Sequence, residues 1–249
     1  MCFAMQKKNN MTILERISTC KGAIAVLIDP EKTNKPAEIE KLIHKINESN
    51  VTFIFVGGST LNEIHLDPII IQIKKYTKIP VIIFPGNHTQ VSTYADAIFY
   101  LSLLTSNDPK YLIEEQIKST DKIAKTNLEV IPTGYFLLDE KGNSSTSKIT
   151  NNTPKITSKK ELLNLSLTAK YLGKKILIFD AGSGAKKSNQ KTYFKDIKET
   201  TNLPIIAGGG IKSTKEIINL KNLGVNIIIV GNHIEENIDF LQEFNKIKS

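Results

Sequence analysis

Glycines that follow apolar segments are the residues of this chain that first suggest chemistry. Three of them stand together at 208–210, and Gly231 with Asn232 follows the next apolar segment. Without a Cβ, the backbone N–H groups of such loops can approach an anion closely, and a following helix N-terminus adds a favourable dipole. The alternative is that these glycines only make tight turns. Their presence after two successive segments favours a phosphate site.

A carboxylate ends another apolar segment, where Asp180 is followed by Gly182, Ser183 and Gly184. A lone Gly-x-Gly is weak evidence, and the dinucleotide-binding fingerprint is not completed here. An acid beside such a polar turn can bind or deprotonate a hydroxyl group. The alternative is that Asp180 caps the next helix.

Asp29, in "LIDPEK", and Ser59, in "VGGST", follow the first two apolar segments. A carboxylate and a hydroxyl suit magnesium, which prefers oxygen ligands and keeps part of its hydration shell. Asp-Pro is also a common turn signal, so the residues alone leave both interpretations open.

The histidines and cysteines suggest no metal centre. His44, His65, His88 and His233 lack zinc-type spacing, and the two cysteines match no redox or ligand pattern. His88 and His233 follow strand ends and can line a site, but we expect structural or solvated roles for them.

The elements that position these residues alternate between strands and helices. Continuous apolar runs are typical of strands covered on both faces, as in parallel sheets. Between them lie segments with early Pro, Ser or Asp at the start and Gly at the end, as in helices. About eight such alternations predict a single-domain (β/α)8 barrel, and an open doubly wound sheet is the alternative. The predicted strands are 23–29, 52–57, 80–85, 97–102, 129–138, 174–182, 203–209 and 225–231.

A barrel of this kind carries its site at the carboxyl ends of its strands, with phosphate commonly held after strands seven and eight. The two glycine loops described above fall at those places. The long polar loop 139–158 is interpreted either as a lid or as a surface excursion.

Composition limits the classes of function. The chain has 249 residues and a net charge of +8. Its lysines are scattered without interleaved aromatic residues, which argues against nucleic acid and is compatible with a diphosphate substrate. No apolar run reaches the length of a membrane span, about 18 residues, and no signal peptide is recognised, so we expect a cytoplasmic protein. We expect an N-terminal extension, 1–11, and one domain, 12–249.

Motifs along nearly the whole chain resemble a known family. The segments "LIDPEK", "VGGST", "VIIFPGN", "SLLTSN", "VIPTGYFLLD", "AKYLG", "FDAGSGA", "AGGGIKS" and "VGN" are similar, in order, to those of the geranylgeranylglyceryl phosphate synthase family, which includes heptaprenylglyceryl phosphate synthases. The form "LIDP" looks like the branch found in archaea and some bacteria.

The resemblance implies a barrel enzyme that joins the hydroxyl of sn-glycerol 1-phosphate to a prenyl group, expected to be geranylgeranyl, and releases diphosphate. It implies Mg²⁺ as cofactor on Asp29 and Ser59, with Asp29 and Asp180 as catalytic residues. A homo-oligomer and peripheral membrane contact for the lipid product are further implications. The implied glycerol phosphate site comprises Ile178, Phe179, Asp180, Ala181, Gly182, Ser183, Gly184, Gly208, Gly209, Gly231 and Asn232.

Three positions depart from the family pattern. Ile178 stands where the family commonly has Tyr, so the contact of that hydroxyl with glycerol must be absent or come from elsewhere. Thr105 replaces the usual Asn, and Glu114 replaces the usual Gly.

Other functions stay open at this point. A sugar-phosphate isomerase or aldolase would explain the glycine loops, although no clear catalytic lysine follows a strand. A non-catalytic phosphate- or lipid-binding protein would fit the loss of the tyrosine. A prenyl tail would need an apolar groove, to which Tyr94, Phe99 and Tyr100 can contribute, and ordinary barrel packing is the alternative for each of them.

Overall fold

Eight parallel strands close into a barrel in the computed structural model, which describes residues 11–58, 65–139, 145–150, 158–181 and 192–247. The strands are β1 (Ala23–Ile28), β2 (Val51–Val56), β3 (Val81–Ile83), β4 (Ala97–Leu103), β5 (Glu129–Leu137), β6 (Ile176–Asp180), β7 (Ile205–Gly208) and β8 (Ile227–Val230). Each strand pairs with the next, and β8 pairs with β1. The predicted barrel is therefore confirmed, and the open sheet was the wrong alternative.

Apolar side chains cover both faces of the barrel wall. Phe53, Phe55 and Phe99 are fully buried in the interior, where the rings of Phe55 and Phe99 meet edge to face at 5.1 Å. On the outer face, Phe179 stacks on Phe136 at 4.7 Å under the helices. Burial on both faces explains why the strands read as continuous apolar runs.

Local signals in the sequence start several of the helices. Thr12 and Glu15 form a reciprocal capping box, and the side chains of Ser158 and Ser213 accept hydrogen bonds from the third residue of their helices. The described helices are α1 (Ile13–Thr19), α2 (Pro36–Asn47), α3 (Leu66–Tyr76), α4 (Glu115–Ile123), α5 (Ser145–Thr150), α6 (Lys159–Tyr171), α7 (Phe194–Thr201), α8 (Thr214–Asn222), α9 (Asn232–Glu236) and α10 (Phe240–Glu243). A π-helical turn, Lys110–Glu114, precedes α4, and a 3₁₀ turn, Phe244–Lys246, follows α10.

The short helix α1 closes the amino-terminal end of the barrel. Ile17 of α1 is fully buried in the interior cluster. The Glu129 carboxylate accepts hydrogen bonds from the N–H groups of Ile13 at 2.6 Å and Leu14 at 2.9 Å, which satisfies two donors at the start of the helix. The barrel is therefore blocked at this end.

The connection between β3 and β4 contains no helix. Residues 84–96 are all described, and they form turns and irregular structure. The predicted alternation of strand and helix is wrong here, because Pro85 and Gly86 interrupt the segment and no 3.6-residue apolar period follows. As a result, the outer face of β4 lacks the helix that would otherwise pack beside it.

No helix within the described residues is long and apolar enough to cross a membrane. Residues 1–10 of the predicted extension lie outside the described residues, and the domain boundaries stay a prediction.

Candidate active site

A cavity of about 650 Å³ opens at the carboxyl ends of the strands and continues sideways between β4 and α4. One end of the cavity is polar and the other is apolar. The polar end, at the mouth of the barrel, is lined by Asp29, Glu31, Lys32, Asp180, Asn232 and Glu235. This is the end at which barrels of this type carry their sites.

Asp29 follows β1 and faces the cavity with its side chain 23% exposed. Its Oδ1 accepts a hydrogen bond from the Glu31 N–H at 3.0 Å, so the residue also makes the turn that the sequence left open. A Cβ on Gly58 would lie 2.8 Å from the same oxygen. Glycine at this position therefore leaves room beside the carboxylate.

The oxygen atoms at Asp29 are compatible with a magnesium ion. Among the described residues, no group of three or more His, Cys, Asp or Glu side chains is arranged to hold a metal. Magnesium needs only one or two carboxylates when water and phosphate oxygens complete its shell. The second predicted ligand, Ser59, lies outside the described residues.

Lys32 crosses the mouth of the barrel from the loop after β1. Its ammonium group donates a hydrogen bond to Glu235 at 2.8 Å and another to the Asn232 side-chain oxygen at 3.3 Å, and it lies 3.9 Å from Asp29. The predicted ligand Asn232 is thus in the cavity wall, beside a cation.

Asp180 ends β6 and receives a hydrogen bond from the hydroxyl of Tyr135, with 2.8 Å between the two oxygens. Burial and the neighbouring Asp180 charge hold the pKa of Tyr135 well above its ordinary value, so the phenol stays protonated and acts as a donor. Ile178 is fully buried in the barrel interior, two residues before Asp180. At this level of the barrel a tyrosine hydroxyl is therefore supplied by Tyr135 of β5, which pairs with Ile178 of β6, and not by position 178 itself.

Two of the three glycines at 208–210 adopt a backbone conformation that other residues avoid. Gly209 and Gly210 have φ values of 85° and 68°, and a Cβ on Gly208 would lie 3.1 Å from the Ile229 Cβ. The tight turn therefore requires Gly209 and Gly210, which are partly exposed, whereas Gly208 is buried. Gly231 follows the end of the next strand, and neither it nor the three glycines are among the residues that line the cavity.

The remaining predicted residues of β6 have different positions. Phe179 points to the outer face of the barrel, where it packs against Phe136 and Phe194, so its side chain does not face the cavity. Ala181 is buried and its N–H bonds to the Gly208 carbonyl. The predictions for 182–184 fall outside the described residues.

The apolar end of the cavity runs over β4 and beneath α4. Phe99 and Tyr100 are among its lining residues, although Phe99 is fully buried in the barrel interior, as ordinary packing requires. Tyr94 is 48% exposed and is not among the lining residues. Part of the loop 139–158 also lines it: helix α5 contributes Thr146 and Ile149, and the Tyr111 hydroxyl donates to the Ile149 carbonyl at 3.0 Å. This end provides the groove that an apolar tail requires.

The sequence did not predict one pair of residues in the cavity wall, His88 and Glu115. The sequence favoured a structural or solvated role for His88, but the structure places it in the wall beside Glu115. The pair comes from the loop after β3 and from the start of α4. Only the position of His88 after a strand hinted at this, because nothing in the sequence pairs it with Glu115. The expectation of a structural role fits His233, whose ring packs against Phe240 at 4.7 Å.

The pKa of Glu115 lies below its ordinary value although burial opposes this. Two hydrogen bonds from His88, the charge of His88 and the charge of Lys118 outweigh the desolvation of the carboxylate. Glu115 is therefore held as a carboxylate.

Comparison with known proteins supports a single family. Residues 16–248 match the model of the PcrB family. The geranylgeranylglyceryl phosphate synthase of Chitinophaga pinensis is 38% identical, with 96% of this chain and 95% of that protein covered, and that of Korarchaeum cryptofilum is 35% identical, with 96% and 98% covered.

A solved structure agrees with these relatives. The (S)-3-O-geranylgeranylglyceryl phosphate synthase of Thermoplasma acidophilum, in complex with its substrate sn-glycerol-1-phosphate, matches with a TM-score of 0.84 and 27% identity. The match covers 95% of this chain and all of that one. The chain is therefore a member of the PcrB family and, with its relatives, a prenyltransferase.

Proposed function

We propose that this protein transfers a prenyl group, expected to be geranylgeranyl, from its diphosphate to sn-glycerol 1-phosphate in a magnesium-dependent reaction. The observation that carries the proposal is the single cavity that joins a polar barrel mouth to an apolar groove along β4. A substrate with a charged head and a long apolar tail needs both ends. The glycerol phosphate needs only the polar one.

The glycerol phosphate would bind across the ends of β6, β7 and β8. Backbone N–H groups of the glycine turns at 208–210 and at Gly231 would hold its phosphate, with Asn232 beside them. The complex of the Thermoplasma acidophilum relative with sn-glycerol-1-phosphate supports the choice of this substrate. The segment 182–184 belongs to the same proposed site by its sequence.

Magnesium would be held by Asp29 and Ser59 at the end of the groove. When bound, it would neutralise the diphosphate and help it to leave. The space beside Asp29 that Gly58 leaves, together with the oxygen chemistry of the two side chains, supports this assignment.

Asp180 would orient the attacking hydroxyl and take its proton. As the glycerol oxygen forms a bond to the first carbon of the prenyl group, the bond from that carbon to the diphosphate oxygen breaks. Tyr135 fixes the Asp180 carboxylate by donating to one of its oxygens. Much of the rate enhancement would then come from holding the two substrates in place.

Because the product is a lipid, we also propose a peripheral contact with a membrane. We further propose that the protein assembles as a homo-oligomer. The groove reaches the side of the barrel near α4, whose outer residue Ile117 is 64% exposed.

Purified protein, radiolabelled sn-glycerol 1-phosphate and prenyl diphosphates of several lengths test the proposal, with and without magnesium. Label extracted into organic solvent, dependent on magnesium and highest at one chain length, is the expected result. If sn-glycerol 1-phosphate binds but no label moves under any condition, prenyl transfer is refuted, and a phosphate- or lipid-binding protein remains.

A further inference from the structure

The described lining of the cavity contains little positive charge for a site that takes two anions. Five carboxylates line it, those of Asp29, Glu31, Glu115, Asp180 and Glu235. Among the described lining residues the one Lys or Arg is Lys32, and its ammonium group is already bonded to Glu235 and Asn232. Under the proposed function, on which this inference rests, the diphosphate would need a further cationic donor.

His88 is the other lining residue that can carry a positive charge. The same Glu115 oxygen accepts hydrogen bonds from the His88 backbone N–H at 2.8 Å and from its ring Nδ1 at 2.7 Å. A carboxylate that accepts from Nδ1 fixes the tautomer and orientation of the imidazole. Within the described part of the chain, Nε2 makes no hydrogen bond, so it is available to a ligand.

The loop that carries His88 is attached to the Asp29 side of the cavity. The Gln90 side chain donates to the Gly58 carbonyl at 3.3 Å and accepts from the Gly86 N–H at 3.0 Å. Gly58 is the residue that leaves room beside the Asp29 carboxylate. The loop therefore spans the wall between Asp29 and the apolar groove, where the head of a prenyl diphosphate would lie.

We propose that His88 binds the diphosphate of the prenyl substrate through Nε2, and that Glu115 is the residue that positions it. Because Nδ1 donates to Glu115, Nε2 carries a proton only in the imidazolium, and that form donates a charge-assisted hydrogen bond to a phosphate oxygen and retains it as negative charge grows on the departing diphosphate. Glu115 acts through His88 alone and touches no substrate.

Three groups besides the ring itself set its charge. Glu115 faces it from α4, the Lys118 ammonium lies 3.8 Å from Glu115, and the Lys122 ammonium donates to the Thr89 carbonyl at 3.0 Å. The carboxylate attracts positive charge on the ring, and the two lysines repel it.

The test compares wild type with His88→Gln, His88→Asn and Glu115→Gln. The matched control is His44→Gln, because His44 also lies beside a glutamate, at 3.8 Å from Glu40, but on the outside of the barrel. Calorimetry measures binding of inorganic diphosphate with magnesium, and steady-state kinetics give a separate KM for each substrate. Thermal melts confirm that every variant is folded.

We expect His88→Gln and His88→Asn to weaken diphosphate binding about tenfold or more, as loss of a hydrogen bond to a charged group predicts. The KM for prenyl diphosphate should rise, and the KM for sn-glycerol 1-phosphate should not. Glu115→Gln should give a smaller loss, and the control no loss.

Unchanged diphosphate affinity and KM in the two folded His88 variants would overturn the proposal and leave the pair as a structural contact. Equal loss for both substrates would do the same. The binding measurement needs no turnover, so wild type that binds diphosphate through His88 without transferring a prenyl group would reject the proposed reaction and keep the anion site.

Discussion

Replacing Tyr135 by Phe removes one hydroxyl from the candidate active site and leaves the ring. The hydroxyl donates to Asp180 at 2.8 Å, and the side chain is 6% exposed. A hydrogen bond to a charged group contributes about 1.5 to 3 kcal/mol. If that bond fixes Asp180 for proton transfer, kcat/KM for sn-glycerol 1-phosphate should fall roughly 10- to 150-fold.

Tyr100→Phe is the matched control for this measurement. Tyr100 lines the same cavity, and its hydroxyl donates to the Gln116 carbonyl at 2.9 Å, but it contacts no carboxylate. Initial rates of label transfer with each variant, at saturating prenyl diphosphate, give kcat/KM. Wild-type activity in Tyr135→Phe would refute the role of Tyr135, and so would an equal loss in both variants.

Three further outcomes are expected. Asp29→Asn should abolish turnover and spare binding of sn-glycerol 1-phosphate, measured by calorimetry; near-normal turnover would remove Asp29 from the mechanism. Gly57→Ala should lower the free energy of unfolding by about 3 kcal/mol or more in urea titrations, because its Cβ would lie 1.8 Å from the Phe84 carbonyl oxygen. The control is Gly173→Ala, whose Cβ would meet nothing within 4 Å. This change should lower the free energy of unfolding by only about 1 to 2 kcal/mol. Glu115 has a lowered pKa in the fold, so its contribution to stability is present above its unfolded pKa and is lost as pH falls through its folded pKa. Wild type should therefore lose more stability than Glu115→Gln in urea titrations below about pH 4, and parallel curves would contradict this.

The strands could be predicted because their physical requirement is local. A strand covered on both faces needs an uninterrupted apolar run, and all eight runs became strands. Asp29, Asp180 and Asn232 could be located for the same reason: each directly follows or ends such a run, and all three line the cavity.

The parts that the sequence missed depend on contacts between distant residues. Glu129 binds the start of α1 over a separation of 116 residues, and no periodic pattern records that pairing. Tyr135 reaches Asp180 only because β5 and β6 are neighbours with a particular register. The cavity runs sideways because no helix lies between β3 and β4. A prediction based on regular alternation of strands and helices could not foresee this.

The connection between β3 and β4, which contains no helix, links the stability of the protein to the amount of substrate that is present. The chain's own side chains do not fill the cavity of about 650 Å³ that runs from the barrel mouth to β4, and the atoms around that space lack part of their packing. A ligand that binds only the folded form adds about 2.7 kcal/mol when present at a hundred times its Kd. Differences of one or two kcal/mol already change how much of a marginally stable protein is cleared by proteases. A cell that makes more prenyl diphosphate would thus keep each copy of this protein for longer.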